Sequence, residues 1–90
     1  MSYIKVGDVL VAQGKLDEAL KAYRDDLAIA ERLAAADRTN ALWQRDVSVA
    51  QNRIGDVLVA QGKLDEAFKA YRDGLAIRQR LATGDPGNAL

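Results

Sequence analysis

An all-α fold of stacked helical hairpins is predicted by three observations. The stretch from Gly7 to Ala19, Gly-Asp-Val-Leu-Val-Ala-Gln-Gly-Lys-Leu-Asp-Glu-Ala, recurs without change from Gly55 to Ala67, an offset of 48 residues. The likeness continues through Lys21-Ala22-Tyr23-Arg24-Asp25 and Lys69-Ala70-Tyr71-Arg72-Asp73, then Leu27-Ala28-Ile29 and Leu75-Ala76-Ile77, and ends at the Asn-Ala-Leu of 40–42 and 88–90. A fixed period of this size marks stacked units, each too small to bury its apolar face alone. Within each copy, apolar residues fall at helical spacing on either side of a Gln-Gly pair. Composition agrees: 49% apolar residues with only 6% aromatics is the balance of packed helices.

In chain order, Met1 to Ala12 carries Tyr3, Val6, Val9 and Leu10 at helical spacing and stops at Gln13-Gly14, where glycine suits the turn after a helix. The second helix runs from Leu16 to about Ala36. Leu16, Ala19, Leu20, Tyr23, Leu27, Ala30 and Leu33 form its inward face. Asp17 and Glu18 lie in its first turn, favoured by the helix dipole, and Arg32 lies near the opposite end. The third helix starts at Asn40, a good N-cap, and runs through Trp43, Val47, Ala50 and Ile54 to Gln61-Gly62. It reaches further back than the first helix, so the first copy lacks its opening turns; either the chain begins part-way into a unit of a longer array, or its terminus is naturally frayed. The fourth helix runs from Leu64 to about Ala82 with Leu64, Ala67, Phe68, Tyr71, Leu75 and Leu81 inward, and Thr83-Gly84-Asp85-Pro86-Gly87 ends it.

The link between the copies lacks the proline and glycine that close the second. Asp37, Thr39 and Asn40 still favour a turn and an N-cap, which predicts a tight helix–turn–helix. The alternative is one continuous helix from about Asp17 to Gln61, which would part the first copy from its packing partner and force an exchange between two chains.

Gly55, Leu58, Gly62, Leu64, Ala67, Tyr71 and Leu75-Ala76-Ile77, with their counterparts Gly7, Leu10, Gly14, Leu16, Ala19, Tyr23 and Leu27-Ala28-Ile29, resemble the tetratricopeptide repeat pattern over nearly the whole chain. The resemblance implies a right-handed α-solenoid of helix-turn-helix hairpins, here four antiparallel helices. It divides the single domain of 1–90 into a first repeat at about 1–37, a second at about 40–84, and the start of a further unit at 85–90. The usual unit has about 34 residues. The extra residues amount to nearly four helical turns, so lengthening both helices keeps their apolar faces in register, as in the long-helix variants of kinesin light chains. Asp26 departs from the pattern, standing where the family places a small residue packed on the next unit; it either pairs with Arg45 or Arg53 or is solvated.

By the same resemblance, ligands lie on the concave face made by the first helix of successive units. That face comprises Ile4, Lys5, Asp8, Val11 and Ala12, then Val49, Asn52, Arg53, Asp56, Val59 and Ala60. Lys5 with Asp8 and Arg53 with Asp56 stand one turn apart, a spacing that also serves plain helix support. A partner would be a protein or peptide. Asp8 and Asp56 replace the asparagine with which chaperone-binding members clamp a terminal carboxylate, so chaperone tails are not expected ligands. Gly74, Ile77 and Leu81 are the expected self-association face, which a third unit would otherwise cover, and a homo-oligomer is expected.

Several function classes fall away. The chain has no cysteine and no histidine, so disulfides, thiolate or imidazole catalysis and ordinary transition-metal sites are not expected. Carboxylates such as Asp17-Glu18 and Asp25-Asp26 have no catalytic company, and no cofactor motif is present, so an enzyme is not expected. Thirteen basic side chains balance thirteen acidic ones, leaving no field to gather nucleic acid or an anionic membrane. Without an apolar run of roughly 20 residues or a signal-peptide pattern, the expected location is cytoplasmic.

Overall fold

The computed structural model describes residues 3–84. They form four helices and, among the described residues, no strand: α1 Tyr3–Ala12, α2 Leu16–Ala36, α3 Ala41–Ala60 and α4 Leu64–Gly84, each packed on the one before it. The residues at 1–2 and 85–90, where the start of the first helix, the Asp-Pro-Gly stop and the beginning of a further unit were expected, lie outside the described range.

The repeated Gln-Gly makes the same turn twice. Gly14 and Gly62 have φ of 76° and 77°, a left-handed conformation that side-chain-bearing residues resist. In the first turn the Lys15 N–H donates to Leu10 O at 2.8 Å and Gly14 to Val11 O at 2.9 Å; in the second Lys63 donates to Leu58 O and Gly62 to Val59 O at those same distances. This pairing uses up the last carbonyls of α1 and α3 and turns the chain back on itself.

Between α2 and α3 the chain turns, as expected, without glycine or proline. The Asp37 N–H caps Leu33 O at 3.1 Å, and Asn40 N donates to Asp37 O at 3.2 Å. Thr39 Oγ1 donates to Asp37 Oδ1 at 2.9 Å, and Asn40 Oδ1 accepts from Leu42 N at 3.0 Å. Four short-range polar contacts thus do what a helix breaker does elsewhere. Asp17 and Glu18 occupy the first turn of α2, whereas Arg32 falls short of its last turn.

Two apolar clusters hold the hairpins together. One joins Ala19, Leu20 and Tyr23 of α2 to Ile54, Val57 and Leu58 of α3 and Ala67 and Ala70 of α4. The other joins Ala30 and Ala34 to Val47 and Ile77, with Trp43 and Leu81 packed against it. Gly7 and Gly55 allow the closest approach: a Cβ would stand 2.4 Å from Tyr23 Cε1 in one hairpin and 2.6 Å from Tyr71 Cε1 in the other. The tyrosine rings therefore lie directly on the backbone of α1 and α3. At the centre, the buried Ser48 hydroxyl is satisfied by Arg45 O at 2.7 Å.

Three expectations need correction. α4 continues past Ala82 to Gly84, because the Thr83 hydroxyl donates back to Gln79 O at 3.0 Å and tolerates the helix. The inward face of α4 is only partly as expected: Ala67 is buried and Tyr71 half-buried, but Leu64, Phe68 and Leu75 are exposed, and Gly74 and Ile77, expected on the open face, are buried. A Cβ on Gly74 would meet Asn52, Gln51 and Ser48, so this face packs on α3 of its own hairpin and is not open to a third unit. Leu81 is half-buried. Leu33 of α2, expected inward, is exposed for a related reason: α1 has ten residues against twenty in α3, and the far half of α2 is less covered.

Asp26, the counterpart of Gly74, is neither ion-paired with Arg45 or Arg53 nor freely solvated. It is half-buried, and burial, with the nearby Asp46 carboxylate, raises its pKa above the ordinary value. The folded chain therefore holds that proton longer than the unfolded one, and stability falls as pH rises from 3.8 through the raised value. Asp26→Asn is expected to raise Tm at neutral pH by about 1–4 °C, since like-charge contacts cost a few tenths of a kcal/mol. The gain should shrink below the ordinary carboxylate range; a fall in Tm at neutral pH would mean that Asp26 is held by a partner.

Candidate functional site

The antiparallel packing sets α1 and α3 side by side, and between them lies a groove of about 190 Å³ lined by Asp8, Val11, Leu16, Tyr23, Arg53, Asp56, Val57 and Ala60. Of the eleven concave-face residues expected, five come together here: Asp8, Val11, Arg53, Asp56 and Ala60. Lys5, Ala12 and Val59 are exposed on the same helices. The rest go elsewhere. Ile4 packs against the first core cluster, Asn52 is half-buried with its Oδ1 near Gly74, and Val49 lines a separate hollow with Arg45, Ser48, Arg78 and Leu81.

At the groove Arg53 pairs across helices rather than along its own. Arg53 Nε lies 3.5 Å from Asp8 Oδ1, not on Asp56 one turn away. Asp8 also accepts a hydrogen bond from the Tyr23 hydroxyl, and Asp56 Oδ1 accepts one from Tyr71 at 2.5 Å. Each phenol thus passes a glycine of the neighbouring helix to reach the carboxylate of the very next residue. The Asp-to-Tyr separation of fifteen residues occurs in both copies and was visible in the repeat, but only the close approach of the rings shows that the two form a unit.

Burial, followed by the bond to Asp8, pushes the Tyr23 phenol well above its ordinary pKa. For Tyr71 the bond to Asp56 is the larger cause and burial the smaller, and the phenol is pushed up to about 12. Both hydroxyls therefore stay protonated as donors and leave the carboxylates as the groove's anionic points. With two carboxylates and one guanidinium over a floor of Val11, Val57 and Ala60, the groove is apolar at its base and mildly acidic at its rim. It has no nucleophile and no imidazole. Among the described residues no group of three or more carboxylates could hold a metal ion, and no helix is long and apolar enough to cross a membrane.

A family model described as the tetratricopeptide repeat matches residues 1–80. No curated protein matches the chain, and no solved structure matches it.

Proposed function

We propose, from the premise that the chain belongs to the tetratricopeptide repeat family, that it is a non-catalytic protein-interaction scaffold whose ligand lies in the groove between α1 and α3. The observation that carries this reading is the convergence of Asp8, Arg53 and Asp56 over an apolar floor. That arrangement suits a peptide segment with an apolar side chain on Val11 and Ala60 and a basic one near Asp56, and it disfavours a terminal carboxylate. The balanced charge of the sequence supports a module that engages neither nucleic acid nor an anionic membrane, and a cytoplasmic location is part of the same proposal. The reading treats 1–90 as one domain, with repeats at about 1–37 and 40–84 and residues 85–90 opening a further unit.

Selection from a random peptide library displayed on phage tests it. Binders are expected to be enriched in lysine or arginine, and Asp56→Asn or Asp8→Asn should weaken them by about 5–30-fold, the equivalent of one or two kcal/mol. Binders indifferent to both substitutions would place the site elsewhere.

Self-association is a second reading, favoured by the exposure of Leu64, Phe68 and Leu75 along one side of α4.

A further inference from the structure

The 48-residue repeat allows each exposed apolar residue to be compared with its own internal copy. Leu20 of α2 is 7% exposed, covered by α3, whereas its counterpart Phe68 in α4 is 65% exposed. Leu64 and Leu75 are likewise open, while their counterparts Leu16 and Leu27 pack against the cluster that α2 and α3 share. The opposite end shows the complementary deficit. Val57 of α3 is 2% exposed where it meets α2, and its counterpart Val9 in α1 is 54% exposed. The molecule thus contains one filled seam, α2 on α3, and presents a second copy of each half of that seam, unfilled, on α4 and on α1.

We infer that the chain associates head to tail, α1 of one copy docking on the outer side of α4 of the next and reproducing the α2–α3 seam. This inference rests on the self-association reading. The occupant is a second copy because α1 carries, in Val6, Val9, Leu10 and Gln13, the positions with which α3 fills the existing seam (Ile54, Val57, Leu58 and Gln61). A polar contact also has its counterpart: Gln61 Nε2 donates to Asp17 Oδ1 at 2.6 Å across the existing seam, and Gln13 and Asp65 repeat that pair at the open ends. Because α1 is short, it reaches the first turns of α4, which makes Phe68 its seat. In the single chain Phe68 has the Arg72 guanidinium 5.7 Å from its ring centroid and otherwise faces outward. Such a contact joins unlike surfaces, so each added copy leaves a new free end and growth continues beyond a dimer unless a ring closes.

Sedimentation velocity of the 90-residue chain over a wide concentration range is the test. The wild type is expected to grow past dimer as concentration rises. Phe68→Glu and Val9→Glu, both at exposed sites and with helical circular dichroism retained, should each be monomeric. Mixed in equal amounts, the two variants should form a heterodimer and nothing larger, since one intact head and one intact tail remain. A wild type that stops at dimer, with Val9→Glu still dimeric, would show like ends meeting and overturn the inference. Association unaffected by either substitution would overturn it too while leaving self-association standing; a wild type monomeric at every concentration would remove the self-association reading itself.

Discussion

Truncating Tyr23 to alanine is expected to cost about 3–5 kcal/mol, the range for removing a large buried aromatic side chain. A chain of this length has a total stability of roughly 5–13 kcal/mol, so much of the folded population is at stake. The reason is position. Tyr23 is 2% exposed and packs in the cluster that joins α2, α3 and α4, with its ring on Gly7 and its hydroxyl on Asp8. Tyr71 occupies the same place in the second repeat, but it is only half-buried because, among the described residues, α3 packs on α4 and no further helix covers its other side. Tyr71→Ala should therefore cost about half as much or less. Tyr23→Phe, which keeps the ring and loses the bond to a carboxylate, should cost about 1.5–3 kcal/mol. Urea denaturation followed by circular dichroism measures all three. Equal losses at Tyr23 and Tyr71 would show that the seam between the hairpins is not what buries Tyr23.

Gly7→Val should lower stability by about 2–3 kcal/mol, against the ordinary gain from replacing a helical glycine, because overpacking at a rigid contact outweighs propensity. A Cβ at Gly7 would stand 2.4, 2.7 and 2.7 Å from three ring atoms of Tyr23, and that ring, 2% exposed, is held in the cluster that joins α2, α3 and α4. At Gly55 the added atom meets Tyr71 at 2.6 Å, but the half-buried ring can swing outward, so Gly55→Val should cost about 1 kcal/mol less than Gly7→Val. Thermal unfolding of the two variants gives the comparison. A stabilised Gly7→Val would mean that α1 does not sit on Tyr23.

Most of the fold was legible because the repeat supplies its own control. The helix ends at Gly14 and Gly62, the cap at Asn40 and the small residues at Ala19 and Ala67 are local or periodic features that a sequence states directly. The faces of α4 were not. Leu64, Phe68 and Leu75 form as good an apolar stripe as Ala70, Gly74 and Ile77, and a helix with two usable stripes does not say which one its neighbour takes. Only the packing of Gly74 on Ser48, Gln51 and Asn52 decides it. The groove was half legible: the family resemblance placed Asp8, Arg53 and Asp56 on one face, but spacing along a helix suggested pairs within each helix. The observed pairing of Arg53 with Asp8 is set by the distance between helices, which depends on the glycines and on the tyrosine rings above them.

Groove, core and docking surfaces all depend on α2 folding back onto α3 within one chain, and a single cross-link tests that. Asp17 and Gln61 are hydrogen-bonded at 2.6 Å, although 44 residues separate them, which would be about 66 Å along a continuous helix. The chain has no cysteine of its own, so the double variant Asp17→Cys, Gln61→Cys can be treated with a short bismaleimide in dilute solution and its mass read under denaturing conditions. Cross-linked monomers are the predicted product. Cross-linked dimers, with no monomer closed on itself, would mean that Asp37 to Asn40 is helical and that the two hairpins are completed by another chain.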